Sequence, residues 1–187
     1  MTEILPIETE RLIIRAFRVD DATAFHGWRN DAEVARLTLW DYPYPMEHAV
    51  AFCRRMAITT PFPEGEYYQL MIEEKASGQA VGDIGIGSGL PTKGAIRIGY
   101  SLSTGAQGKG YMTEALEALL PALIEPLRLE RFTADIDARN PASGRVLERL
   151  GFKAGPVHEK RTFVKGEWCD EIDYEVSAEG LLAAVSK

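Results

Sequence analysis

From Glu8 to Phe17 the chain alternates, with Leu12, Ile14 and Ala16 on one side, and that period of two predicts a strand. Asp20-Asp21 then supplies an N-cap for a short amphipathic helix through Trp28, and Asp31 caps another near Ala32–Leu37. The segment Trp40-Asp41-Tyr42-Pro43-Tyr44-Pro45 is not helical, because each proline restricts its predecessor to extended geometry. A helical period returns from Met46 to about Ile58, with Ala49, Phe52, Cys53 and Met56 along one face.

Beyond the breaker Pro61-Phe62-Pro63-Glu64-Gly65 the period falls back to two. Tyr67–Glu73 and Ala80–Gly87 read as strands joined by a turn at Lys75-Ala76-Ser77-Gly78. Ala95–Leu102 is a third, with Ile96, Ile98 and Tyr100 on one face and Arg97, Gly99 and Ser101 on the other. A glycine-rich stretch, Gly105 to Gly110, leads into an apolar helix from about Tyr111 to Ile124, with Leu116, Leu119, Leu120 and Leu123 at helical spacing. Phe132–Asp137 follows as a strand and Asn140–Leu150 as a helix ended by Gly151. Arg161–Val164 and Cys169–Val176 form a closing hairpin around Lys165-Gly166-Glu167-Trp168. Short turns between strands give way to strand–helix–strand crossovers, which predicts an α+β domain. Its central sheet is mixed, mostly antiparallel, of about seven strands, with helices on both faces. The length, 187 residues, fits a single domain over 1–187.

Composition narrows the partners. A net charge of −7 speaks against nucleic acid, which attracts clustered Lys and Arg, and is compatible with a cationic acceptor. No apolar run approaches the ~18 residues of a membrane span. The N-terminus Met-Thr-Glu-Ile-Leu-Pro-Ile-Glu has no basic or apolar signal region, so a cytoplasmic location is expected. Cys53 and Cys169 stand apart, and His26, His48 and His158 form no HxxxH or HExxH pattern, so neither a disulfide nor a metal site is expected.

The sharpest local signal is the strand–loop–helix passage with glycines at Gly105, Gly108 and Gly110. Helix N-termini present unpaired N–H groups and partial positive charge, which suit a phosphate, and glycine lets backbone approach closely. A tight, ligand-free turn uses glycines in the same way, so the stretch alone leaves both options open. A P-loop is excluded, because Ser103 stands five before Gly108 and Gly110 follows the lysine. The dinucleotide fingerprint fails at Thr113, and the Gly82–Gly87 cluster lies inside a strand, where it reads as close packing. What matches is Q-x-x-G-x-[GA], with Gln107 first and Gly110 fourth.

With the opening Glu8-Thr9-Glu10-Arg11-Leu12-Ile13-Ile14-Arg15 and the later Asn140-Pro141-Ala142-Ser143 through Leu150-Gly151-Phe152, that pattern resembles the GNAT superfamily of acetyl-CoA-dependent N-acetyltransferases. The branch it resembles is the ribosomal-protein N-terminal (RimJ/RimL-type) one, over about Glu8 to Val176. The resemblance implies acetyl-CoA as co-substrate, no metal, and an amine acceptor: a protein N-terminus or, alternatively, a small molecule. It implies that Gln107, Gly108, Lys109, Gly110, Tyr111, Met112 and Thr113 cradle the pyrophosphate of CoA. It also implies that the strand ending at Leu102 splays from its neighbour to pair with the pantetheine arm, and that Asn140 and Ser143 contact that arm and the sulfur region. Met112 stands where the pattern has Gly or Ala, and its side chain is expected in the core.

Many members carry a Tyr on the last helix as acid to the leaving thiolate; the matching position is Leu147, which leaves Ser143 as candidate. The alternative for Ser143 is a helix-start hydroxyl bonded to backbone. Many members have Glu where this chain has Arg97, so the base is Asp83, Asp135, Asp137 or a water. Asp83 comes first, since a carboxylate in an apolar strand is costly without a purpose; the alternative puts it on a solvent face. A backbone N–H near Leu102 or Ser103 is the expected donor to the thioester oxygen. Trp40, Tyr42 and Tyr44, with the helix at Met46–Ile58 and the hairpin around Trp168, are the expected acceptor pocket. The hairpin's edge strand offers a surface for a homodimer. Loss of both the Tyr and the Glu keeps a non-catalytic acyl-CoA-binding module as a competing class.

Overall fold

The computed structural model describes residues 4–63, 65–87 and 94–186; Glu64 of the expected breaker and the first three residues lie outside them. The chain runs β1 (Ile7–Glu8), β2 (Leu12–Ala16), α1 (Ala22–Arg29), α2 (Ala32–Ala35), α3 (Met46–Ile58), β3 (Tyr67–Glu74), β4 (Gln79–Gly87) and β5 (Ala95–Leu102). It continues α4 (Tyr111–Leu127), β6 (Arg131–Asp137), α5 (Pro141–Arg149), β7 (Lys153–Val164), β8 (Glu167–Ser177) and α6 (Ala178–Val185). The strands form one sheet in the order β1-β2-β3-β4-β5-β6-β8-β7. Among the described residues only β5 and β6 pair in parallel.

The sheet therefore has eight strands where about seven were expected. The extra one arises because Glu8–Phe17 is not continuous. Thr9 accepts a bond from the Leu12 N–H on its hydroxyl (2.9 Å) and donates its own N–H to the Leu12 carbonyl (2.9 Å), closing a turn that splits β1 from β2. The hairpin strand β7 begins at Lys153, eight residues before the expected start at Arg161. Gly155-Pro156 hides it in the sequence; proline is tolerated because β7 is the sheet's edge and the register shifts between Ala154 and Val157. Helix α6 was not anticipated; Ser177 caps it by accepting the Gly180 N–H (3.0 Å), and Leu181 is fully buried.

Helices cover both faces, as two side-chain bonds make plain. Asp83 on β4 reaches Trp28 of α1, while Tyr100 on β5 reaches Ser143 of α5. Asp83 pairs with Ser101 across the sheet, so Tyr100, one residue away, points to the opposite side. Helix α3 packs on α1, and α4 packs between α5 and α6. Leu116, Leu119, Leu120 and Leu123 of α4 are fully buried, and the helix runs on through Pro121 and Pro126 to Leu127. Burial of that stripe outweighs the hydrogen bonds the prolines remove.

Candidate active site

The β5–α4 passage is built to leave backbone donors open. Gly108 (φ 73°) and Gly110 (φ 80°) adopt the left-handed conformation that L side chains avoid. A Cβ at Gly105 or Gly108 would meet nothing within 4 Å, and one at Gly110 would meet only Arg11 Nη2, at 3.6 Å. The first backbone bond of α4 runs from Glu114 N–H to the Gly110 carbonyl (3.0 Å), so Tyr111, Met112 and Thr113 keep N–H groups without an intrahelical partner. The β1–β2 turn clamps this loop. Arg11 donates its backbone N–H (2.9 Å) and Nε (2.6 Å) to Glu114, Thr9 donates its hydroxyl to the same carboxylate, and Arg11 Nη1 binds the Lys109 carbonyl (2.9 Å). The opening Glu-Thr-Glu-Arg-Leu motif and the glycine loop are thus one device.

A cavity of about 550 Å³ opens on the loop. Leu102, Gln107, Gly108, Gly110, Tyr111, Met112, Thr113, Asn140 and Ser143 line it; Ser103 and Lys109 do not. Met112 is buried with the core. Arg36, Arg145 and Arg149 also line the cavity, against the single carboxylate Glu33; Arg139 lines it too, but its guanidinium is paired with Asp137 and Glu167. In a chain of net charge −7 this is a local basic surface, and it suits a polyanion. The fit to the phosphates of CoA rests on these guanidinium groups together with the open glycine turn.

Beside this cavity the sheet opens. Strands β5 and β6 pair only from Ala95↔Arg131 to Arg97↔Thr133 and then part. Ser103 N–H is spent on the Val81 carbonyl (2.9 Å), which makes Leu102↔Gly82 a non-hydrogen-bonded pair and turns the Leu102 N–H away from β4, into the gap. Of the two expected oxyanion donors, Leu102 is free and Ser103 is taken. Across the gap, Asn140 caps α5 by accepting the Ser143 N–H (3.1 Å), and Ser143 donates its hydroxyl to Tyr100 Oη (2.9 Å). Tyr100 donates in turn to the Ser143 carbonyl (3.0 Å). The Ser143 hydroxyl is thus bonded to a side chain and not to backbone. Burial pushes the Tyr100 phenol far up.

A second cavity, of about 510 Å³, lies on the other face of the sheet. Its lining includes Arg29, Trp40, Phe52, Tyr67, Asp83, Arg97, Asp135, Asp137, Arg161 and Glu171. The two cavities share Leu37, Tyr100 and Ser101. Lys165 at the β7–β8 turn donates to the carbonyls of Ala35 (3.0 Å) and Thr38 (2.5 Å), fixing the segment that carries Leu37 between them.

A family match decides what this architecture is. Residues 11–153 match the acetyltransferase (GNAT) domain. The chain belongs to the GNAT family. Uncharacterised N-acetyltransferase p20 of Bacillus licheniformis is 25% identical over 165 residues, 87% of this chain and 90% of that protein. The ribosomal protein uS5-alanine N-acetyltransferase of Escherichia coli (strain K12) is 33% identical over 78 residues, 42% of this chain and 40% of that enzyme. Among solved structures, a ribosomal-protein-S5-alanine acetyltransferase from Vibrio fischeri superposes with a TM-score of 0.80 at 21% identity, covering 94% of this chain and 97% of that one.

As a GNAT enzyme the protein is an acetyl-CoA-dependent N-acetyltransferase. Leu147, at the position of the missing Tyr, is fully buried in the core. Asp83 is not on a solvent face, as one alternative had it: it is 2% exposed. Its oxygens accept from Trp28 Nε1 (3.0 Å), Ser101 Oγ, Gln69 Nε2 and, more distantly, Arg29 Nη2 (3.5 Å). Burial raises its pKa, opposed by Arg29 and the hydrogen bonds from Ser101 and Trp28. Burial likewise raises Asp135, helped by its hydrogen bond with Asp173 and opposed by Arg97 at 2.8 Å, whereas bonding to Arg139 holds Asp137 low. Of the expected acceptor aromatics, Trp40 lines the second cavity, with the Arg29 guanidinium 3.7 Å over its ring. Tyr44 packs instead on Phe25, and Tyr42 is exposed outside the lining. Trp168 is exposed beside Phe163, while its strand contributes Cys169 and Glu171 to the cavity. Sequence reasoning missed Tyr100 and the cavity arginines. Tyr100 does carry a signal, a lone hydroxyl among the Ile96 and Ile98 face.

Among the described residues no group of three or more His, Cys, Asp or Glu stands where a metal would be held, and no helix is long and apolar enough to cross a membrane.

Proposed function

We propose that the enzyme moves the acetyl group directly to the α-amine of a protein or peptide N-terminus inside a ternary complex. The observation that carries this is the meeting of two cavities at Leu37, Tyr100 and Ser101. One cavity has the diphosphate turn and the split strands; the other is lined by carboxylates and aromatics. A donor and an acceptor entering from opposite faces reach each other there without a covalent enzyme intermediate, and proximity alone lowers the barrier substantially. The thioester supplies an already activated acyl group. The Leu102 N–H holds the charge that develops on its oxygen. Ser143, turning its hydroxyl from Tyr100 to the departing sulfur, donates a proton there and is reprotonated from solvent, which balances the proton taken from the amine.

An alkylamine is mostly protonated at neutral pH, so a base must take its proton. Asp83, foremost among the sequence candidates, has donors on both oxygens and anchors the cavity floor. Asp135 lines the cavity with a raised pKa, bonded to Arg97 and Asp173 and not to the four donors that hold Asp83, and takes the base role. The E. coli relative named for acetylating the alanine of uS5 supports a protein α-amine as acceptor. A small-molecule amine is the second reading, favoured by the bounded 510 Å³ of a cavity whose partition is tied by Lys165.

The test is free-thiol release from acetyl-CoA with a panel of short peptides and small amines across pH. Peptide-dependent release is expected, with kcat/KM falling toward acid as Asp135 is protonated, at a pH above that of an ordinary aspartate; Asp135→Asn should abolish that limb. Release with small amines alone would select the second reading, and CoA binding without release would leave a non-catalytic module. Ser143→Ala should lower kcat on the order of a hundredfold, the lower end of what a positioned proton donor contributes, with CoA affinity retained. An unaltered kcat removes Ser143 from the chemistry.

A further inference from the structure

Three glycines stand together on the face of the sheet that floors the second cavity. Register pairs Gly85 with Gly99 and Gly87 with Tyr67. Their missing side chains are replaced by one ring. A Cβ at Gly85 would overlap the hydroxyl and ζ-carbon of Tyr67, one at Gly87 would sit 3.1 Å from its Cδ2, and one at Gly99 would lie 3.8 Å from its hydroxyl. The phenol therefore lies across β4 toward β5 in a trough that any larger residue at 85 would fill. Glycine weakens a strand, since it adds conformational entropy to the unfolded chain and packs nothing. Here that cost lays an aromatic ring flat on the cavity floor.

Tyr67 lines the cavity and is 51% exposed as a residue, while its hydroxyl end is the part sunk in the trough over Gly85. Its hydroxyl has no hydrogen-bond partner among the described residues, although Asp83, Arg29 and Arg97 line the same cavity. Burial, helped by the Asp83 charge, pushes the phenol up to about 12, so it stays protonated and acts as a donor. An unpaired donor on an apolar ring, beside two guanidinium groups, is matched by a hydrogen-bond-accepting oxygen such as a peptide carbonyl, whose partial negative charge suits both. Gly99 is two residues before Ser101, where the cavities meet, so that oxygen sits a few bonds from the reacting amine.

We infer that Tyr67 determines acceptor specificity by donating a hydrogen bond to the carbonyl oxygen next to the reacting amine, so that the site selects α-aminoacyl groups over simple alkylamines. This rests on the assignment of the second cavity to the acceptor.

The test couples protein and substrate changes. Wild-type, Tyr67→Phe and Gly85→Ala enzymes are assayed with trialanine amide and with its analogue whose first peptide bond is a trans-alkene of equal length. Wild type should lose about tenfold in kcat/KM on the alkene, the worth of one neutral hydrogen bond. Tyr67→Phe should lose the same factor on the normal peptide, mostly in KM, and lose nothing further on the alkene. Gly85→Ala, which displaces the ring and keeps the hydroxyl, should reproduce that pattern, and acetyl-CoA affinity should not move in either variant. Equal losses on both substrates, or no loss on either, overturn the inference and leave the transferase assignment intact. Wild-type enzyme that binds acetyl-CoA and acetylates neither peptide refutes the acceptor assignment itself, and the inference with it.

Discussion

Gly110→Trp should reduce acetyl-CoA affinity by at least a thousandfold while the protein stays folded. Gly110 caps α4 at φ 80°, and the space above it is bounded only by Arg11 Nη2. An indole placed there occupies the ground over the free N–H groups of Tyr111, Met112 and Thr113. Losing two charge-assisted hydrogen bonds, at roughly 2 kcal/mol each, already amounts to three orders of magnitude. The fold survives because a Cβ at 110 meets no core atom within 4 Å and the side chain leaves from a loop at the cavity; the left-handed backbone costs a non-glycine residue roughly 1–2 kcal/mol, which a domain tolerates. Gly110→Ala separates the two effects, since it carries the backbone strain without the plug and should bind far better than the Trp variant. Calorimetric titration with CoA beside a thermal melt decides the matter. A folded Trp variant that binds CoA within a factor of two of wild type would show that the turn is no phosphate nest.

The stretch Gln107 to Thr113 was legible because its chemistry is local: glycines, a helix start and a preceding strand are all read from adjacent residues. The alternation of Ala95–Leu102 and the leucine stripe of α4 were legible for the same reason. What failed to show were features made by distant partners. Arg11 and Glu114 are 103 positions apart, and nothing near either announces that together they brace the Lys109 carbonyl. Arg36, Arg145 and Arg149 look like ordinary surface charges until α2 and α5 converge on one cavity. The Gly82–Gly87 cluster was rightly read as close packing, but the packing partner, Tyr67, lies on another strand. Tyr42, Tyr44 and Trp40 are equivalent in the sequence; only the Arg29 side chain, stacked on Trp40, distinguishes the one that faces the cavity.

Two strands illustrate the opposite failure, in which a local signal was present but misleading. Gly155-Pro156 marks a break in most contexts, yet on an edge strand it becomes an irregularity inside β7. Thr9 sits at a position where alternation continues, yet its side chain closes a turn that ends β1. That turn is what brings Arg11 to the glycine loop, so a misread boundary of three residues concealed a part of the candidate site.

Asp83→Ala should destabilise the fold by about 3–5 kcal/mol, the cost of removing one partner from a buried ion pair. The carboxylate is held by an indole, an amide, a hydroxyl and a guanidinium drawn from three elements: α1 contributes Trp28 and Arg29, β3 Gln69 and β5 Ser101. Arg29 and Asp83 side chains are 10% and 3% exposed, so solvent does not replace the lost partner. Arg29 is already poorly served, with a 3.5 Å contact to Asp83 and no partner for its Nε, and the mutation leaves it a buried charge with only aromatic rings around it. If that uncompensated charge is the source of the loss, Asp83→Ala combined with Arg29→Met should be more stable than Asp83→Ala alone, a non-additivity expected of contacting residues. Urea unfolding of the three variants measures it. A loss below about 1 kcal/mol in the single variant would mean that the cluster is an ordinary polar patch. A double variant no better than the single one would shift the cause from the stranded guanidinium to the hydrogen bonds of Trp28 and Gln69.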